Sequence, residues 1–162
     1  MRATAFLFQP ALLLSVACAM AAGVDSIIGQ AMNGLEVRRS DTPYSRTIEG
    51  MAIGFGPDGA PRVGVAYREI ESFKPITGMV VVHRTPDGFV LREALFPDIE
   101  KIRDPEDRRQ VRSVLESFRN VAFDPHAERS AVDTVTGATR YGIKTSGYLN
   151  YMARHVALHL EN

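Results

Sequence analysis

The residues best suited to do chemistry stand together near the end of the chain, in Asp133-Thr134-Val135-Thr136-Gly137-Ala138-Thr139. A threonine hydroxyl on an exposed turn is a nucleophile that a second protein can reach. Gly137 permits positive φ and lets a partner backbone come close. Ala138 keeps the space beside Thr139 clear. The Asp133 carboxylate can accept bonds from the amides that follow it and so hold the turn. Arg140 and Lys144 bring positive charge nearby. On local composition alone, the same stretch also describes a glycine turn leading into the last helix, with an unmodified threonine.

Other chemistries lack their residues. There is no Gly-x-Ser-x-Gly, no phosphate-cradling glycine loop and no His-Glu-x-x-His. His155 and His159 share a helix face, but two ligands are too few for a metal site. His83, beside a turn, and His126, in a loop, read as surface residues. Cys18 is the single cysteine and lies in a segment expected to be removed. A chain without thiols forms no intrachain disulfide, cysteine-ligated iron–sulfur cluster or thioether-linked haem. Lys plus Arg equals Asp plus Glu, 19 of each, so no net field recruits nucleic acid or an anionic membrane.

The complete pattern of Asp, two variable residues, Ser or Thr, Gly, Ala and Thr resembles the acceptor motif of the FMN-binding domain family. Its members include the flavinylated subunits of the sodium-pumping NADH:quinone reductase and of the related Rnf complex. Asp133, Thr136, Gly137, Ala138 and Thr139 meet every fixed position. With residue frequencies of a few per cent each, a chance match in a chain this long is on the order of one in several thousand. The resemblance implies that a flavin transferase moves the FMN moiety of FAD onto Thr139 as a phosphodiester. Asp133, Thr136, Gly137 and Ala138 would form the recognition turn. It further implies a covalent-FMN electron carrier working between redox partners of a membrane or extracytoplasmic chain, rather than a stand-alone enzyme.

A phosphodiester at Thr139 would keep about one negative charge, which free amides at a helix start favour. Arg140 and Lys144 supply cations, and a cation near the pyrimidine end of the isoalloxazine raises the flavin potential. Tyr141, Phe55 and Tyr67 are candidates to stack on the ring. The chain departs from the family in two places. Tyr141-Gly142-Ile143-Lys144 separates the motif from Thr145-Ser146, so the last helix is expected to start late. The family's Glu-Thr pair after the first hairpin has no equivalent, although Glu69 and Glu71 are near. The resemblance runs from about Gly50 to Leu160 and is tightest over Asp133 to Thr139. Two further functions fit the chain. One is a non-redox exported binding or adaptor domain with a bare Thr139. The other is a small flavoenzyme acting directly on a soluble substrate, ranked last because no second catalytic constellation accompanies the motif.

These residues need elements to position them. Residues 1–22 carry a basic start, an apolar run from Ala11 to Ala22 and a small-residue cleavage site at Ala19-Met20-Ala21. That is the pattern of a secretory signal peptide, and it predicts a periplasmic or otherwise extracytoplasmic bacterial protein. A retained N-terminal membrane anchor is the rival. A lipid anchor on Cys18 is disfavoured by Ser15-Val16-Ala17 before it. Residues 23–49 read as a lead-in, with a short helix from Val24 to Met32 ended by Gly34 and a polar loop from Arg38 to Arg46.

Residues 50–162 form the domain proper. Met51 to Gly56 and Val63 to Ile70 flank Pro57-Asp58-Gly59; Met79 to His83 and Phe89 to Leu95 flank Pro86-Asp87-Gly88. Each pair predicts a hairpin. Val80-Val81-Val82 is too apolar for a half-exposed strand and predicts a central one. Asp104-Pro105-Glu106-Asp107 opens a helix with Val111, Val114, Leu115 and Phe118 on one stripe. A last helix, capped by Thr145 or Ser146, carries Tyr148, Leu149, Met152, Val156 and Leu160 on one face. The charged stretch from Asp98 to Arg112 reads as a solvated face. Strands first and helices later predict an α+β fold: an antiparallel sheet of two hairpins covered by C-terminal helices.

Overall fold

The computed structural model describes residues 23–40, 47–70, 75–132 and 142–162, with backbone only for residues 142–144. Helix α1 covers residues 23–31, and the turn after it closes at Gly34, whose φ of 79° is the left-handed conformation that glycine adopts without a Cβ penalty. Strands β1 (Glu36–Ser40), β2 (Gly50–Phe55), β3 (Pro61–Ile70), β4 (Ile76–Thr85) and β5 (Gly88–Leu95) follow. A single 3-10 turn (Ile99–Lys101) leads to helix α2 (Pro105–Glu116), strand β6 (Val121–Phe123) and helix α3 (Gly142–Glu161). The six strands form one sheet in chain order, every pair antiparallel. The fold is α+β, as the order of patterns predicts.

Both hairpins form, and their turns work as the residues require. Asp58 Oδ1 accepts the Ala60 N–H at 3.1 Å, and Gly59 sits at φ 74°. Two strands escape the sequence pattern. Glu36–Ser40 is polar and nearly all exposed, so it reads as loop, yet it pairs residue for residue with β2. Val121–Phe123 is too short to show alternation and pairs with β5. An edge strand takes its conformation from the backbone bonds its neighbour offers, not from an apolar face.

The sheet is covered on both faces. On one, Ala66, Val80, Val82 and Leu91 meet Leu149, Met152, Val156 and Leu160 of α3, all 0% exposed. Val111 and Val114 of α2 and the following Phe118 join this core. On the other, Ile28 and Met32 of α1 and its end pack against Ala52, Val63, Val65, Met79 and Val81. Residues 23–40 and Ile48, read as a lead-in, thus supply a helix, a strand and core contacts. β4 explains the valine run: it lies inside the sheet, so Val80 and Val82 serve one face while Val81 serves the other.

Helix α2 begins as its sequence demands. Asp104 Oδ1 accepts the N–H groups of Glu106 (2.8 Å) and Asp107 (3.3 Å), with Pro105 at the first helical position. Its charged face is solvated, with Arg109 on Glu106 and Arg112 on Glu100; such exposed pairs contribute little. Helix α3 corrects one expectation. It starts at Gly142, so Thr145 and Ser146 are not caps but lie inside the first turns, each only 3% exposed. Packing of the apolar face onto the sheet lets the helix begin upstream of the residues whose side chains favour capping.

Two glycines allow the layers to close. A Cβ on Gly64 of β3 would stand 2.3 Å from Val156 Cγ1 of α3, and one on Gly54 of β2 would stand 2.7 Å from Leu35 Cδ1 after α1. Bare backbone at these points sets how near each helix comes. Gly64→Val is therefore expected to destabilise the fold by about 1–3 kcal/mol through overpacking. Urea unfolding checks this; an unchanged midpoint would show that α3 does not press on β3 there.

Candidate functional site

Asp133, Thr136, Gly137, Ala138, Thr139 and Arg140 lie outside the described residues, as do Tyr141 and the signal segment with Cys18. Lys144 falls in the first turn of α3, described by its backbone alone. The structure describes the residues on either side of segment 133–141. At one end, Asn150 of α3 acts as a clamp on Val132: its Oδ1 accepts the Val132 N–H at 2.9 Å, and its Nδ2 donates to the Val132 carbonyl at 2.9 Å. Val132 is 9% exposed and joins the core, so this chain segment is fixed by packing and by two hydrogen bonds.

The other end is the start of α3. With the helix beginning at Gly142, the late start expected from Thr145-Ser146 disappears, and Thr139 is three residues from the first helical position. The first four N–H groups of a helix have no intrahelical partner, and they carry partial positive charge. A group attached near this point would meet that field.

Beside these ends a groove of about 220 Å³ runs between α3 and the connection that follows β6. Phe123, Asp124 and Pro125 form part of one wall, and Glu128, Arg129 and Ala131 continue it. Gly147, Asn150, Tyr151 and Arg154 supply the α3 side. These four follow an i, i+3, i+4, i+7 spacing and therefore lie on one helix stripe. Gly147 is exposed, and a Cβ built on it meets nothing within 4 Å among the described residues, so neither φ nor packing against those residues requires glycine there. Tyr151 is 37% exposed, with its ring 4.3 Å from that of His155. Arg129 and Arg154 enter no ion pair or hydrogen bond among the described residues.

The wall is tied down at two places. Asp124 Oδ1 accepts the His126 N–H at 2.9 Å, and His126 Nε2 meets both carboxylate oxygens of Glu161 at 3.0 Å. His126 is exposed, as read, whereas His83 is partly buried on β4. His159 Nδ1 donates to the His155 carbonyl at 2.9 Å, a bond along the helix rather than toward a metal. Among the described residues no group of three His, Cys, Asp or Glu could hold a metal ion, and no helix is long and apolar enough to cross a membrane.

Of the aromatics considered for stacking, Phe55 lies under the Arg38 guanidinium, 4.3 Å from its ring centroid. Tyr67 lies across Gly50, where a Cβ would stand 2.3 Å from its Cζ. Tyr151, Gly147, Arg129 and Arg154 were not legible as a site. On the sequence, Tyr151 and Arg154 are the solvent side of a helix, and Arg129 is a loop charge. One signal was present: an interior helix glycine costs about 1 kcal/mol relative to alanine, and no packing among the described residues requires Gly147 to bear it.

Two expectations follow. Asn150→Leu leaves the Val132 N–H and C=O without partners and should lower stability by about 1–3 kcal/mol; amide exchange at Val132 should accelerate more than at Val80. If Val132 stays as protected as in the parent chain, the clamp does not hold this segment. The second concerns pH. Burial, then the neighbouring His159 and Arg154 charges, holds the His155 pKa below its ordinary 6.5; burial, then Arg92, does the same for His83. The unfolded chain thus binds more protons below about pH 6.5, so stability is full above that value and declines as pH falls through it. Denaturation midpoints at pH 7.5 and 5.5 should show this decline, and a His83→Gln/His155→Gln variant should flatten it.

No protein-family model matches this chain, and no curated protein or solved structure matches it, so the chemistry of the site rests on its own residues.

Proposed function

We propose that the protein is an extracytoplasmic electron-transfer domain carrying FMN covalently on Thr139. The observation that carries this reading is the complete acceptor pattern, Asp133, Thr136, Gly137, Ala138 and Thr139, standing between the Val132 clamp and the start of α3. A transferase must engage the segment from outside. The two anchors hold its ends while leaving nine residues, 133–141, between them.

The attachment step balances simply. The Thr139 Oγ forms a bond to the phosphorus of the FMN half of FAD, and the bond from that phosphorus to the bridging pyrophosphate oxygen breaks. AMP leaves, and the hydroxyl proton passes to a base. Asp133 is the nearest carboxylate in the motif and is proposed to orient the turn. When bound, the flavin supplies two-electron acceptance and one-electron release, a junction between two-electron donors and one-electron acceptors.

The protein's own contributions are position and electrostatics. The start of α3 favours the anionic diester, and Lys144 adds a positive charge in the same turn. Residues of the groove fit a planar ring: a helix stripe bare at Gly147, an exposed Tyr151, and two arginines without counter-ions among the described residues. A covalent bond makes retention independent of affinity, which matters outside the cytoplasm, where dissociated FMN would be lost. A flavin transferase and redox proteins of a membrane or extracytoplasmic chain are the partners this reading requires.

The test is the intact mass of the protein co-produced with a flavin transferase. One FMN less one water should be added, the yellow colour should survive denaturation, and Thr139→Val should remove both. A parent chain of unmodified mass under these conditions would overturn the reading.

A further inference from the structure

We infer that the groove between α3 and the β6–α3 connection seats the isoalloxazine ring, with Gly147 as its floor and Arg129 and Arg154 at its polar end; this rests on the flavin reading of Thr139. The argument begins with Gly147. It is exposed inside a 20-residue helix, at a conformation any residue tolerates, and a Cβ there would meet none of the described residues within 4 Å. Glycine at such a position weakens a helix and brings nothing to the core. What it does provide is access to helix backbone without an intervening side chain, which suits close approach of a flat group.

The rest of the stripe matches such a group. Asn150 is committed to Val132 through both amide atoms and is not available to a ligand. Tyr151, one turn from Gly147, presents an aromatic surface steadied by His155. Arg154 and Arg129 face the groove from opposite walls. Asp124 and Glu128 line the same wall as Arg129, so the charge is mixed, but Asp124 already accepts the His126 amide. An isoalloxazine has an apolar benzenoid end and a pyrimidine end rich in hydrogen-bond acceptors. It is the pyrimidine end that guanidinium groups recognise.

Scale agrees. The volume of about 220 Å³ is below that of pockets enclosing a drug-sized ligand, so it holds one face of a ring system and leaves the other to a redox partner. At about 1.5 Å of rise per residue, Gly147 lies ~8 Å and Arg154 ~18 Å beyond the start of α3. A five-carbon ribityl chain extends about 7 Å at ordinary single-bond lengths, enough to bring a ring tethered near the helix start over Gly147.

The experiment uses the full chain co-produced with a flavin transferase and reads iodide quenching of flavin fluorescence. Gly147→Leu fills the floor without touching the core and should fold as the parent does. It should keep one flavin per chain by mass while its quenching constant rises at least threefold. Arg154→Ala should keep the flavin and lower its midpoint potential. Arg112→Ala, in the separate depression between β5 and α2, should change neither. Unchanged quenching in Gly147→Leu, with flavin attached, would overturn the inference. If the parent chain carries no flavin, the reading of Thr139 has failed instead, and riboflavin titration of the unmodified chain decides the groove separately. Saturable binding weakened tenfold or more by Gly147→Leu supports a ring seat; absence of saturable binding by the parent overturns it.

Discussion

Seating of α3 on β3 and β4 depends on bare backbone at Gly64. A Cβ there would stand 2.3 Å from Val156 Cγ1, and Val156 with Leu149, Met152, Ala153, Ala157 and Leu160 makes up the wholly buried part of α3. Each feature of the site is referred to this helix. Its start follows segment 133–141, its Asn150 grips Val132 before that segment, and its exposed stripe is one side of the groove. Shifting α3 by one methyl diameter would move all three together. A single close contact between strand and helix therefore governs the geometry available for chemistry.

The same helix is asked to serve two solvents. Its inner face is apolar and packed, at close to no exposure, while its outer stripe carries Gly147, Asn150, Tyr151 and Arg154. The inner face holds the helix on the sheet, so of the outer stripe only Asn150, through its bonds to Val132, has a stabilising role. That separation permits a helix-weakening glycine in the first half of α3, because burial of the opposite face contributes far more than the propensity lost. It also permits arginines that pair with no described residue, whose charge stays solvated until something covers it. Where local sequence preference and tertiary stability disagree in this way, the position is a place to look for function.

The opposite sheet face tells a related story. Helix α1 closes it with Ile28 and Met32, so the domain begins earlier than its strand pattern suggests. The chain leaves the expected export segment and enters the fold at once. Whatever becomes of residues 1–22, the sheet has its second cover from residue 23 onward.

Much of the fold was legible because its signals are local. Pro57-Asp58-Gly59 and Pro86-Asp87-Gly88 dictate tight turns, Asp104-Pro105 dictates a helix start, and the valine run dictates an interior strand; each depends on a few neighbouring residues. The pattern from Asp133 to Thr139 is local in the same way, and its reading as an acceptor remains a proposal. Other features required the folded chain. β1 and β6 are strands only because β2 and β5 offer them partners. The start of α3 moved ahead of Thr145 because sheet contacts outweigh the capping preference of hydroxyl side chains. The groove unites Arg129 with Arg154 across a loop and a helix, and no sequence period links them. By itself the sequence determined where the chain turns, where α2 is capped and which strand lies inside the sheet, since those properties belong to short stretches of backbone. Tertiary structure alone decided which exposed side chains meet, since that depends on how closely Val156 of α3 can approach Gly64, 92 residues earlier, where the missing Cβ sets the distance.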